Sequence, residues 1–487
     1  MKRILFLALT LLTATTGWSQ PAHNPWEESI VTLEVTRQRY DSSQPWTRQT
    51  ATESKNGVVI EGKELLTTAE YFNDVTLIRV QRNGRGSWYT AKLKWADYHA
   101  NLALVTVEDE KFWSGLKAAK FTTDFKDLSQ VQVVRWRSGN LESRKAEFNE
   151  FTVREGKISI VPQANIIFSS EIEGLGWAEA VVYKGKLVGL TTSSDGRKFN
   201  VTPATFIQRI LSAQRKGKFA GMGYFAFTWQ QAINPDVHKF LGWKGEPKGV
   251  PIIDIPDTEE KTSPLKVHDL ILKVDGFDID IQGDYLDPEY GHLMLENLSS
   301  RHWAGETIKM VVWREGKEVA VDYVLPKADY QTDLIPKETF DQAPEYLMIG
   351  GLLFQPLDGA YLKRWGPDWK SRAPFRLAYY DNQSKTDKRP GLVLLAGILP
   401  DPVNIGYQDY RMLVVDKVNG KSISGISDLA TALETPKEGF HIIEFMDGAS
   451  VQKIVLDAAE AKRANDKILA NYGVRGDRYI LSKELKK

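Results

Sequence analysis

The chain is 487 residues long, 42% hydrophobic and 26% charged, with 63 basic residues balanced by 63 acidic ones. That length exceeds one ordinary core and suggests roughly two to four domains, and the composition excludes a disordered chain. A formal net charge of zero leaves no electrostatic case for nucleic acid or an anionic membrane as partner.

At the N-terminus Lys2 and Arg3 precede the apolar run ILFLALTLL, and Gly17 and Ser19 are placed for cleavage before Gln20. This pattern predicts a signal peptide over 1–19 and a periplasmic or secreted protein. The run is too short for a stable membrane span. The sequence contains no cysteine, so disulfides are unavailable and the domains must rest on ordinary cores.

From about 28 to 217 the runs VTLEV, GVVI, ELLTT, VTLIRV, AKLKW, NLALVTV, VQVVRW, KISIV, NIIF, EAVVY and KLVGLTT read as strands between glycine and polar turns. No strand–helix alternation accompanies them, which favours packed barrels or a sandwich over a doubly wound sheet. Thr202 then caps a helix with Pro203 in its first turn and an apolar stripe of Phe206, Ile207, Ile210 and Leu211. A second unit, 219–328, contains SPLKVHDLILKVDGFDI with a turn at Asp275–Gly276, and a hairpin turning at Glu315 to Lys317. A third unit, 335–487, repeats that order, with Asn419–Gly420 in the place of Asp275–Gly276 and Asp447–Gly448 at the later hairpin. Its helical tail carries Ala461, Ala464, Ile468 and Leu469 on one face.

The strings IGGLLFQPLDGAYLKRWG, LPDPVNIGYQDYRMLVVDKVNGKSISGISDLATALE and AKRANDKILANYGV resemble the second PDZ domain and C-terminal extension of plant-type Deg proteases, in the HtrA/Deg family. The resemblance covers about residues 30–487. It implies a mainly β multidomain chain: a trypsin-like double β-barrel followed by two PDZ-like α+β domains and a C-terminal helical tail. A trimer-based homo-oligomer is implied as well. The first PDZ likeness departs from the family pattern at His268, where a glycine usually stands before the residue matching Asp269.

The same resemblance places the family's catalytic triad on Glu70, Asn101 and Trp177, within LLTTAEYFNDV, NLALVTV and EGLGWAEAVV. A serine nucleophile needs a base to take its proton. Glutamate, with a reference pKa of about 4.3, is a weak one. Asn101 carries no charge, and an indole has no nucleophilic oxygen. Ala178 and Glu179 replace glycines of the turn that presents the oxyanion N–H groups, and side-chain-bearing residues disfavour that turn. The resulting expectation is a pseudoprotease, not an enzyme, that serves as a peptide- or protein-binding scaffold or regulator. The alternative is an active serine endopeptidase with a rearranged site. It would draw on Ser169, Ser170, Ser193 or Ser194 with His99, which shares a strand face with Asn101 by the two-residue period.

A PDZ domain binds a peptide as an added strand beside a sheet edge while loop N–H groups hold its terminal carboxylate. In the third unit Gly350 and Gly351 would form that loop, and Leu352, Leu353 and Phe354 the edge strand. In the second unit the counterpart is Gly249, Val250 and Ile252, with Pro251 removing a ladder donor. The partners implied are protein or peptide ligands, including C-terminal or unfolded segments. The competing reading is an occluded edge, closed by the tail helix and segment 355–400. Tryptophans spread between Trp18 and Trp369 admit a second alternative, a carbohydrate-binding module. Histidines lie singly, so no metal or cofactor site is expected, and Asp254, Asp257 and Glu259 read as a solvated acidic loop.

Overall fold

In a strand buried on both faces, alternate side chains serve two different cores, and the computed structural model shows this arrangement in the first half of the chain. It describes residues 24–481 apart from 123, 126, 257–261, 331, 332 and 367. The signal segment 1–19, Asp257 and Glu259 lie outside the described residues. Strands β1 (Ile30–Tyr40), β2 (Arg48–Ile60), β3 (Glu64–Thr67), β4 (Val75–Arg82), β5 (Trp88–Asp97) and β6 (Leu102–Val107) close a barrel in the order β1-β2-β3-β6-β5-β4. A second barrel follows, built from β7 (Val131–Arg137), β8 (Asn140–Glu155), β9 (Pro162–Ser170), β10 (Ala180–Tyr183), β11 (Lys186–Asp195) and β12 (Lys198–Pro203). Its order is β10-β11-β12-β9-β8-β7.

Leu65, Ala103 and Val105 fill the first barrel. Their neighbours Leu66, Leu102 and Leu104 face a seam shared with Val134, Ala180 and Leu190 of the second barrel. The helix Ala204–Arg215 closes this seam with Ile207, Ile210 and Leu211.

Several local readings need correction. KISIV is not a strand: Ile158, Ile160 and Val161 lie in the connection before β9 and are apolar because they pack against the cores. The charged strand β8 and the strand β12 carried no apolar run in the sequence. Pro203 is the helix N-cap, without a side-chain cap bond, and the Thr202 hydroxyl has no partner. His99 and Asn101 lie in the turn between β5 and β6, not on a strand, and Asn101 is left-handed, with φ 51°.

The second unit contains β13 (Thr228–Trp229), β14 (Val250–Asp254), β15 (Leu270–Val274), β16 (Phe277–Asp278), β17 (Asp284–Asp287), β18 (Gly291–Met294), β19 (Thr307–Arg314) and β20 (Lys317–Val324). Its sheet runs β13-β14-β15-β19-β20, with β16 beside β15 and β17–β18 as a separate ribbon. The third contains β21 (Tyr346–Ile349), β22 (Leu352–Pro356), β23 (Val393–Ile398), β24 (Leu413–Val418), β25 (Lys421–Ser422), β26 (Phe440–Phe445), β27 (Lys453–Asp457) and β28 (Arg478–Tyr479). Its sheet runs β27-β26-β24-β23-β22-β21-β28. Asp275–Gly276 and Asn419–Gly420 make corresponding two-residue turns, with φ 51° and 83° in one and 51° and 81° in the other. Positive φ at both positions is what a tight hairpin of right-twisted strands requires.

Backbone proximity also dictates sequence inside the second barrel. A Cβ on Gly189 would stand 2.1 Å from the carbonyl oxygen of Thr202, across the β11–β12 pair. Gly189→Ala is therefore expected to cost about 3 kcal/mol, the upper end of overpacking. A lowered urea midpoint with unchanged slope would bear this out; an unchanged midpoint would refute it.

Candidate functional site

The three positions assigned to a triad do converge on one region, though their side chains make other contacts. Glu70 follows β3, and its backbone N–H donates to Asn101 Oδ1 at 3.1 Å. The Glu70 carboxylate pairs with Lys157 at 2.5 Å. Trp177 stacks on Tyr71, ring centroids 5.3 Å apart, and its carbonyl accepts from Asn56 N–H of the first barrel at 2.8 Å. Gly176, beside it, has φ 117°, and a Cβ there would lie 2.8 Å from Ser193 Cα. Neither position presents a hydroxyl to the cleft.

The turn around them is held by its own side chains. Ala178 is left-handed, with φ 62°, at a conformational cost of about 1–2 kcal/mol. The Glu179 side chain compensates: its Oε2 accepts from the N–H groups of Gly176 and Trp177, both at 2.9 Å, and from the Thr191 hydroxyl. The Arg135 guanidinium lies 4.0 Å from Oε1. The altered residues were expected to disfavour a turn that presents N–H groups. Instead the N–H groups are presented, and an internal carboxylate occupies them.

Sequence reasoning missed Lys55. It lies on β2, is 2% exposed, and donates from Nζ to the carbonyls of Thr68 and Glu70, each at 2.7 Å. Burial pushes its pKa down to about 7, against the opposing pull of Glu70 and Glu179. A signal existed: Lys55 shares the strand period of Gly57 and Val59, so it points the same way as a core residue. A cleft of about 310 Å³ adjoins it, lined among others by Ser54, Asn56, Arg135, Arg137, Glu173 and Trp177.

The other proposed hydroxyls are not brought to His99. That ring stacks on Tyr330 at 4.2 Å, and burial pushes its pKa down to about 4. Ser169 bonds Asn149, Ser170 donates to the Lys145 carbonyl, Ser194 to the Leu175 carbonyl, and Ser193 accepts from Asn200. Ser54 is exposed and lines the cleft.

Both candidate peptide-binding strands are paired on either side within the chain. Val250 pairs with Ile271 of β15 and Ile252 with Trp229 of β13, while Gly249 N–H donates to the Ile279 carbonyl at 2.9 Å. Leu352, Leu353 and Phe354 pair with β21 on one side and β23 on the other. Gly350 is held through its carbonyl by Asn404 Nδ2 at 2.8 Å. A Cβ on Gly351 would stand 2.3 Å from the Leu399 carbonyl oxygen. Among the described residues the strand order of the second unit's sheet ends at β13 and β20. Among the described residues no helix is long and apolar enough to cross a membrane.

Residues 335–479 match the model of a PDZ domain. The chain is 24% identical over 474 residues to "Protease Do-like 2, chloroplastic" of Arabidopsis thaliana, covering 92% of this chain and 74% of that protein. It is 23% identical over 446 residues to "Protease Do-like 4, mitochondrial" of the same plant, covering 88% and 80%. The chain is a PDZ-containing homologue of the Deg/HtrA proteases. A solved structure, "HtrA-type protease AlgW with tripeptide", aligns with TM-score 0.48 and 16% identity over 62% of this chain and 97% of that one. The Deg/HtrA relatives bear on catalysis too. They are named proteases, so the expectation that this chain is not an enzyme is unsupported, and the comparison points the other way.

Lys55 makes stability depend on pH in a definite direction. Its folded pKa of about 7 lies below the unfolded value of about 10.4. Between those values the unfolded state binds the extra proton, so this group's contribution to stability rises with pH from about 7 to about 10. Urea titrations of the wild type and Lys55→Met should therefore diverge across that window, the wild type gaining on the variant. A constant difference would show that Lys55 is not shifted.

Proposed function

We propose that the chain is an exported Deg/HtrA-type endopeptidase with a rearranged active site, acting on unfolded or C-terminal segments of other proteins. The observation that carries this reading is Lys55, a buried amine lowered to a pKa of about 7 beside the cleft between two barrels. A neutral amine has two N–H groups, which match the two carbonyls it faces, and a lone pair left to accept a proton. Ser54, an exposed hydroxyl residue, lines that cleft. Its oxygen attacks the scissile carbonyl carbon while its proton passes by way of cleft water to Lys55, whose side chain leaves the opposite face of β2. The ammonium then returns the proton to the departing amine as the C–N bond breaks, in the Ser–Lys variant of acyl transfer.

The protease names of the relatives support the reaction class. The PDZ match, which covers the third unit, supports a chain built for peptide recognition; the docking strand proposed here is the β13 edge of the second unit, outside that match. Export rests on Lys2, Arg3 and the apolar run after them. A trimer-based assembly rests on the family likeness, and a monomer in sedimentation would overturn it.

Incubation of the mature chain with unfolded casein and a fluorophosphonate probe tests the chemistry. Slow cleavage is expected, rising with pH through about 7, with the probe on Ser54. Loss of about 10²–10⁴-fold is expected in Ser54→Ala and Lys55→Met. Probe on Ser169, Ser170, Ser193 or Ser194 would displace Ser54 from the role. Turnover no greater than that of the variants would overturn the endopeptidase reading.

A further inference from the structure

Between β22 and β23 the third unit carries short helical turns, Gly359–Leu362, Lys363–Trp365, Trp369–Arg372 and Phe375–Ala378. Tyr361, Leu362, Trp369 and Leu377 turn inward to one core with Leu394 and Val414, which leaves the basic residues between them outside. Most of these cations are spent on carboxylates. Lys363 pairs with Glu338, Lys370 with Asp381 at 2.7 Å, and Arg372 with Asp368 at 3.7 Å. Arg364, Arg376 and Arg411, the last just before β24, are exposed and have no carboxylate partner among the described residues.

These three side chains converge. Arg364 Nη1 donates to the Tyr361 hydroxyl at 3.0 Å, and Arg376 Nη2 donates to the Arg411 carbonyl at 3.4 Å. Burial pushes the Tyr361 pKa up, and Arg364, Arg411 and Arg376 each pull it back, so all three charges act on one hydroxyl. That hydroxyl accepts from Arg364, while its own proton meets no acceptor among the described residues. The result is a set of donors without an anion. One guanidinium fork satisfies the two oxygens of a carboxylate; three forks and a hydroxyl suit the several oxygens of a phosphate. We propose that Arg364, Arg376, Arg411 and the Tyr361 hydroxyl form a phosphate-binding site on the third unit. The zero net charge of the whole chain conceals this local imbalance. The site shares no residue with the cleft between the barrels, and nothing in it rests on the role given to Lys55. Its phosphate can come free or on a lipid headgroup. Beside Arg376 the Phe375 ring is 79% exposed and lies 5.9 Å from that of Tyr379, an apolar edge that a lipid surface would cover and a free phosphate would not.

Titration calorimetry of the full mature chain with inorganic phosphate, at constant ionic strength and with chloride as control anion, tests the site. Saturable binding of phosphate and none of chloride is expected. Arg364→Met and Arg411→Met should each weaken it roughly tenfold or more, the loss of a charge-assisted hydrogen bond. Arg364→Lys, which keeps the charge and loses the fork, and Tyr361→Phe should weaken it by smaller factors. The arginines are exposed, so their variants should keep the wild-type urea midpoint. Sedimentation with phosphatidylglycerol vesicles, against phosphatidylcholine, separates the two sources. Co-sedimentation that is lost in Phe375→Ala and in Arg376→Met assigns the site to a headgroup; phosphate binding without co-sedimentation assigns it to a free phosphate. Binding of neither probe, or equal binding by the wild type and the arginine variants, would overturn the proposal.

Discussion

Two backbone carbonyls, those of Thr68 and Glu70, hold the buried amine of Lys55, and the rim of the first barrel is arranged around that need. A charged group taken from water is costly unless paired and hydrogen-bonded. Here the two carbonyls are supplemented by the faces of Phe72 and Tyr71, 5.3 and 6.0 Å from Nζ. Glu70 is fixed in its turn by Lys157 on its side chain and Asn101 on its backbone. The site is therefore a single polar assembly, with the segment 68–71 as its hinge.

A second carboxylate solves the opposite problem across the cleft. Successive backbone N–H groups turned inward form a concavity that favours an anion, and the Gly176–Trp177 pair presents such a concavity. Glu179 fills it from two residues away, and its own N–H is met by the Thr191 hydroxyl at 3.0 Å. That compensation lets Ala178 hold a conformation usually left to glycine. The left-handed Ala178 and the acidic side chain at the next position thus form one physical arrangement and not two. An incoming oxyanion would have to compete with a carboxylate already in place.

The barrels were legible because their strands are buried on both faces, so runs such as LALVTV and VQVVRW are apolar almost throughout. The strand β8 was not, since Arg144, Lys145, Glu147 and Glu150 are exposed along it and few apolar residues, such as Ala146 and Val153, are buried. KISIV misled for the converse reason, being apolar for packing while unpaired as a strand. In the site, family register found Glu70, Asn101 and Trp177, which the fold brings into one region. It could not find Lys55, Tyr71 or Lys157, because their importance comes from contacts across turns and between strands. The two glycines at 350 and 351 were read as a carboxylate-binding loop, yet tight approach by Asn404 and Leu399 requires glycine at 351, and a φ of 54° favours it at 350. A conserved-looking motif and a packing constraint leave the same letters in a sequence.

The third unit is where that ambiguity has the largest consequence. Its strand β22 has both neighbours within the chain, and β28 adds to the outer edge of β21 through Tyr479 opposite Tyr346 and Arg478 opposite Leu347. Main-chain pairing of this kind is what an incoming peptide would otherwise supply. With those positions filled, an external peptide gains little there unless it displaces β21 or β28, and displacement costs the paired strand and its buried side chains. The same unit contributes its energy differently. Leu334 and Ile335 are buried in its core, while Phe340 and Asp341 just after them carry the contact to the barrel. A sheet that has completed itself is a firm base from which to hold something else, and the Tyr98–Asn101 turn is what this segment reaches.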